Sequence, residues 1–245
     1  MLLVLIDNST GYSIYAQHQF KHLITRFLLM NFYTGFISSK FSPSMNWLAH
    51  LLLAESDPEA RLGNLLGDLV KGKQRQAFNL KIQRGIECHQ AIDIFTDKHP
   101  IVRCSKQRID PKYRRFSSIL IDVFYDYILA NNWQNYCDIS LSRFTAIVYA
   151  EWESCLATLP VYPQGVIYCL IAEDWLGSSI SLTGIEKTLA RISRKLNRRG
   201  KRQYDLTPAI DELIINYQQL QQDFSQFFPQ LQSYVDRWHL SKINY

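Results

Sequence analysis

The sequence predicts an all-α protein folded as a single helical domain, a helix bundle, and three observations carry that prediction. Only 10 Gly and 8 Pro occur in 245 residues, too few for the many turns of an all-β chain. Apolar residues recur at helical spacing almost without interruption from Met45 onward. Helix-start signals, Ser56-Asp57-Pro58 and Thr207-Pro208, stand ahead of two of these runs. Hydrophobic residues make up 47% and charged residues 20%, a balance that supplies a packed core and excludes a disordered chain.

Residues 1–44 differ from the rest. They are aromatic, rich in Ser and Thr, and poor in charge and helical period. The expectation is a loosely ordered N-terminal extension, or an upstream mistranslated start, with the compact domain spanning residues 45–245; the alternative is an extra helix around residues 16–32. The run NWLAHLLLA reads as a short apolar helix. The segment capped by Ser56-Asp57-Pro58 runs to about Gly72, and a long helix is expected from about Leu80 to Arg103. Another is expected from about Pro111 to Trp133, with Phe116, Ile119, Leu120, Val123, Phe124 and Ile128 on its apolar face. Further helices are expected near residues 140–156, 163–176 and 180–197, and a last one from about Thr207 to Val235.

The five cysteines, Cys88, Cys104, Cys137, Cys155 and Cys169, are odd in number and form no Cys-x-x-Cys pair. This argues against a disulfide framework or a zinc ribbon and for a reducing compartment. No apolar run approaches the roughly 20 residues a membrane-spanning helix needs, and the opening MLLVLI lacks the pattern of a signal peptide. A cytoplasmic protein is expected.

Several polar constellations could carry chemistry. His89, Asp93 and Asp97 are spaced four apart, so one helix face would present an imidazole and two carboxylates. A solvated acidic face is the plain alternative for any one such pair. Asp122 and Asp126 share a face of a strongly apolar helix, where two carboxylates repel and lose hydration unless a cation lies between them. Salt bridges to Arg114 or Arg115 are the alternative. Asn64 and Asp68 form a weaker pair beside Gly63, and His50, alone on an apolar helix, is by itself more often a core residue than a ligand. Successive helices of a bundle could bring these side chains into one interior. Imidazole and carboxylate without thiolate suit Mn, Fe, Mg or Zn. The run RISRKLNRRGKR holds seven basic residues, Arg191, Arg194, Lys195, Arg198, Arg199, Lys201 and Arg202, and no acid. Without an accompanying nucleic-acid motif, no nucleic acid is expected, and the run reads as a solvated face or a dock for an acidic protein.

Taken in order, MNWLAHLLLA, GNLLGDLVKG, GIECHQAIDIFTDKHPIV and LIDVFYDYIL resemble the motifs of the acyl carrier protein phosphodiesterase family, an unusual relative of the HD-type metal-dependent phosphohydrolases. The resemblance covers Met45 to the C-terminus and is strongest over residues 45–133. It implies an HD-domain-like helix bundle that hydrolyses the phosphodiester of holo-acyl carrier protein, releasing 4′-phosphopantetheine and apo-protein, with a divalent cation, most commonly Mn²⁺. It implies catalytic work for Asp68, His89 and Asp93, and metal ligation by Asp68, His89, Asp122 and Asp126. His50, Asn64 and Asp97 would orient the ligands. The basic run would dock the acidic carrier protein.

The family often has Arg where this chain has Gln90, and His where it has Tyr127; Leu52 stands where some members have a further His. These departures bear on phosphate contacts and proton transfer. Three other readings stay open: a phosphohydrolase acting on a nucleotide, a non-catalytic helical protein that binds acyl carrier protein, and a nucleic-acid-binding helical protein, which needs only the basic run and leaves the acidic motifs unexplained. Oligomeric state is not legible.

Overall fold

Helix α1, Trp47–Leu53, is apolar apart from His50 and is buried accordingly. At seven residues it is too short to be stable alone. Its N-terminus is satisfied from outside: the Asp126 carboxylate accepts from the backbone N–H of Leu48 at 3.0 Å and of Ala49 at 3.1 Å. The computed structural model describes residues 47–199 and 202–243, at Arg199 and Ile243 the backbone alone. The expected extension 1–44, the start at Met45 and the docking residue Lys201 lie outside the described residues.

Helix α2, Pro58–Leu69, starts as the sequence predicts, with Asp57 accepting from Glu59 and Ala60 and Pro58 in the first turn. It ends at Leu69, and Gly72, at φ +58°, turns the chain into a 3₁₀ segment, Gly72–Ala77. Helix α3, Leu80–Lys98, is capped by the Asn79 side chain on the Ile82 N–H. Helices α2 and α3 are in close contact because glycines face each other. A Cβ on Gly85 would lie 2.8 Å from the Gly63 Cα, closer than nonbonded carbons approach.

The single helix expected over Leu80–Arg103 is two. Pro100 has no N–H to donate, and the residue before it, His99, is extended at φ −70° and ψ 129°. Helix α4, Pro100–Arg108, therefore sets off anew. The expected helix from Pro111 begins as a 3₁₀ segment, Pro111–Phe116, and becomes α5, Ser117–Asn131. Helix α5 is the buried centre of the bundle, touching α1 and α4. The predicted apolar face is buried at Phe116, Leu120, Val123, Phe124 and Ile128, with Ile119 partly buried.

Helices α6, Leu141–Cys155, and α7, Val161–Ala172, follow. The expected 163–176 run breaks where Asp174 adopts φ 44°, starting the short α8, Trp175–Ser178. Helix α9, Leu182–Arg199, matches expectation. The last expected helix is divided into a 3₁₀ turn, Thr207–Ala209, then α10, Ile210–Ile215, and α11, Tyr217–Ile243. Helices α5 and α9 are also in contact, as are α5 and α11.

A polar network ties α4, α5 and α11 together. The Ser105 hydroxyl donates to Asp223 at 2.7 Å and lies 2.7 Å from the Tyr125 hydroxyl, while Arg108 Nε donates to the same carboxylate at 2.8 Å. Each buried polar group there has a partner, so none carries the penalty of an unmet hydrogen bond. All five cysteines are free. Among the described residues there is no strand, and no helix is long and apolar enough to cross a membrane. The fold is an all-α bundle.

Candidate metal centre

Three helices converge on one polar cluster inside this apolar bundle. Helix α1 contributes Trp47 and His50, α2 contributes Asn64 and Asp68, and α3 contributes His89 and Asp93. Gly67 makes the meeting possible: a Cβ there would lie 2.8 Å from the His89 Cβ and inside the span of its ring. The His50 and His89 rings stack with centroids 4.2 Å apart.

The Asp93 carboxylate bridges the two imidazoles, with Oδ1 3.2 Å from His50 Nε2 and Oδ2 3.2 Å from His89 Nε2. His50 Nδ1 lies 3.0 Å from Asn64 Oδ1, an oxygen that can only accept, so the proton is on Nδ1 and the Nε2 lone pair faces the centre. Asp68 is held from the other side: Trp47 Nε1 donates to its Oδ2 at 2.8 Å, and its Oδ1 lies 3.5 Å from His89 Nε2. Both histidines, Asn64 and Asp68 are buried, whereas the Asp93 side chain is 40% exposed and marks the open side.

Electrostatics follow from this layout. Burial alone would lower the affinity of His89 for a proton, but hydrogen bonds and charges from Asp68 and Asp93 outweigh it and raise the imidazole to about 10. Burial pushes Asp93 up, and hydrogen bonds and charges from His50 and His89 overcome that and hold it well below the usual carboxylate range.

The residues fit a divalent cation. His50, His89 and Asp93 each offer a ligand atom within 4.8 Å of the others. His50 Nε2 is buried and faces Asp93 Oδ1 at 3.2 Å, and with the other ring nitrogen turned to Asn64 a cation or proton must lie between this nitrogen and the carboxylate. Two imidazoles and a carboxylate suit a divalent first-row metal.

The other predicted positions are distributed around this centre. Asp122, partly buried on α5, makes no hydrogen bond among the described residues. Burial, then the charge of Asp93, raises its carboxyl well above the usual range, with Lys106 opposing and Asp97 and Asp126 adding to the rise. Asp126 instead spends both oxygens on the N-terminus of α1. Asp97 points to solvent and pairs with Lys106 at 3.1 Å. Tyr127 packs edge-on against Tyr217, and Leu52 joins the rim of the core.

The basic run is not uniform. Arg191 lies over the face of Trp175, 4.2 Å from its centroid, and pairs with Glu173, while Trp175 stacks on Trp47 at 5.6 Å. Arg194, Arg198 and Arg202 are exposed and Lys195 is partly buried. Trp47 was not legible as a site residue. The only trace in the sequence is a tryptophan three positions before a histidine on an apolar helix, a spacing that places both on one face.

Comparison with known proteins agrees with the motif reading. The family described as acyl carrier protein phosphodiesterase matches residues 45–231. Among curated relatives, an acyl carrier protein phosphodiesterase of Serratia proteamaculans is 33% identical over 188 residues, covering 76% of this chain and 95% of its own length. One from Yersinia enterocolitica is 34% identical over 193 residues, covering 77% and 96%. One from Escherichia coli O6:H1 is 32% identical over 197 residues, covering 79% and 98%. No solved structure gives a significant match.

Proposed function

The chain belongs to the acyl carrier protein phosphodiesterase family, and from that premise we propose that it hydrolyses the phosphodiester between 4′-phosphopantetheine and the serine of holo-acyl carrier protein. The observation that carries the reading from family to chemistry is the shared Asp93 carboxylate between two stacked, buried imidazoles. His50, His89 and Asp93 would hold a divalent cation, with Asp68 completing the set. Mn²⁺ is our assignment. Such a cation polarises a phosphate oxygen and lowers the pKa of water.

The protein's own groups do the rest. Asn64 engages Nδ1 of His50 and so leaves Nε2, on the Asp93 side, as the ring's ligand atom. Trp47 fixes Asp68, so that one carboxylate oxygen stays oriented while the other accepts the proton of the attacking water. As the new oxygen–phosphorus bond forms, the bond to the serine oxygen breaks, and that oxygen takes up a proton. Asp122 is disfavoured as a free anion beside Asp93, and cation binding would relieve that penalty, so we keep it as a further ligand. The exposed Arg194, Arg198 and Arg202 supply a positive face suited to an acidic carrier protein. Five free thiols support a reducing, cytoplasmic setting.

The test is intact-mass spectrometry of holo-acyl carrier protein after incubation with purified protein and Mn²⁺. Conversion to the apo mass, blocked by chelator, is expected. A holo mass unchanged at high enzyme concentration rejects the proposed reaction.

A further inference from the structure

We propose that Arg75 is a phosphate-binding residue of this centre, held at its rim by Gln90; the inference rests on the phosphodiesterase reading above. Gln90 follows His89 on α3 and precedes Asp93 by three positions, so it borders the exposed carboxylate on the helix surface. With the Gln90 amide oriented to satisfy both groups, its oxygen accepts from the Arg75 guanidinium, 3.0 Å from one terminal nitrogen and in contact with the other. Arg75 Nε donates to the carbonyl of Val70, two residues past Asp68, at 3.3 Å. The side chain is thus fastened to the residue that caps the C-terminus of α2 and to α3, at positions close along the chain to Asp68 on one side and to His89 and Asp93 on the other.

The backbone is shaped for this. Gly72, at φ +58°, turns the chain at the end of α2 and lays the 3₁₀ segment Gly72–Ala77 back beside α3. That segment buries no residue, so its turn is not explained by core packing. It delivers Arg75.

Charge separates Arg75 from the other arginines that are buried or partly buried. Arg61 is paired with Glu151, Arg84 with Glu55 and Arg191 with Glu173. Arg75 has only uncharged partners, the Val70 carbonyl and the Gln90 amide, and no carboxylate partner among the described residues. A partly buried guanidinium without a counter-anion, fixed by neutral acceptors, is prepared for an anion from outside. A phosphodiester has two non-bridging oxygens; one can meet a cation in the centre while the other meets the Arg75 fork. The position following His89 is thus not a lost contact: the amide of Gln90 holds a guanidinium supplied by another segment.

The experiment measures binding of phenyl phosphate to Mn²⁺-loaded protein by calorimetry, alongside Mn²⁺ affinity and melting temperature, for wild type, Arg75→Gln, Arg75→Lys and Gln90→Met. Arg75→Gln is expected to weaken phenyl phosphate about tenfold or more, with Mn²⁺ affinity and melting temperature unchanged. Arg75→Lys should retain part of the affinity, as a point charge without the planar fork, and Gln90→Met should fall between Lys and wild type. Wild-type phenyl phosphate affinity in Arg75→Gln overturns the proposal, as does a parallel loss of Mn²⁺ affinity, which would mean that Arg75 acts through the ligands. Weakened phenyl phosphate binding in a protein that leaves holo-acyl carrier protein intact would sustain Arg75 as an anion site and reject the substrate assignment.

Discussion

The imidazoles of His50 and His89 lie nearly parallel, at an interplanar angle of 27°, and one carboxylate, Asp93, spans both Nε2 atoms. Two stacked rings cannot both be charged cheaply, so the shared carboxylate sets a place for one positive charge, a proton or a metal.

That competition is measurable. In the metal-free protein Asp68 and Asp93 raise His89, against its burial, from 6.5 to about 10. Between those values the native state holds a proton the unfolded chain has released. The stabilisation it brings is therefore complete below about 6.5 and is lost as pH rises through about 10. Mn²⁺ must displace that proton, so its apparent affinity should rise with pH across the same window. Calorimetry at pH 8 in buffers of different ionisation heat should report proton release; identical heats in all buffers would contradict the assignment.

Replacing Asp68, His89 or Asp93 by Ala should abolish turnover with helical content preserved by circular dichroism. Trp47→Phe tests the support of Asp68 without touching a ligand. It leaves a buried carboxylate oxygen unpaired, and a loss of ~10- to 100-fold in metal affinity or activity is expected. A Phe variant with wild-type Mn²⁺ binding and rate would make Trp47 only a packing residue.

Asp126→Ala should lower the melting temperature, because two N–H groups at the start of α1 lose their acceptor; such caps contribute ~0.5–2 kcal/mol. The same change should spare bound Mn²⁺, whereas loss of stoichiometric metal would restore Asp126 to the ligand set. Burial raises this carboxyl to about 7 against the pull of the two N–H groups. Its contribution is present below the unfolded value near 3.8 and declines as pH rises through about 7. Urea unfolding at pH 5 and pH 8 should accordingly show a smaller pH difference in Asp126→Asn than in wild type.

Gly67→Ala should damage the centre from the helix behind it. The added methyl meets the His89 side chain, and overpacking of this kind costs ~1–3 kcal/mol. A lower melting temperature together with weaker Mn²⁺ binding is expected. Weaker stability with intact metal affinity would show that the ring moves aside without leaving its ligand position.

The basic helix should separate into two roles. Charge reversal at Arg194 and Arg198, both exposed, should raise the KM for holo-acyl carrier protein, flatten its salt dependence and leave a small phosphodiester unaffected. Arg191→Glu should instead destabilise the fold, since it removes the cation over Trp175 and opposes Glu173. Equal effects of the Arg194 and Arg198 reversals on both substrates would remove the docking role.

The sequence by itself determined the all-α class, the Asp57 cap on α2, the face shared by His89 and Asp93, and the family. These are local or near-local properties: helical spacing decides which side chains share a face, and capping chemistry decides where a helix can start. Pro100 carries a local signal for the break between α3 and α4, a missing N–H and an extended preceding residue, although Ile101 and Val102 continue the apolar pattern beyond it. Only the tertiary structure decided which faces meet. The opposed Gly63 and Gly85 bring α2 against α3, and the absent side chain of Gly67 admits His89. That approach turns His50 from a lone core histidine into the partner of His89, brings Trp47 onto Asp68, and leaves Asp97, a turn beyond Asp93, in solvent with Lys106. Asp122 and Asp126 share one helix face, yet Asp126 meets the open end of α1 while Asp122 meets the field of Asp93. The two carboxylates are alike in sequence, and what separates them is the neighbour each is packed against, a long-range contact that spacing along one helix does not encode.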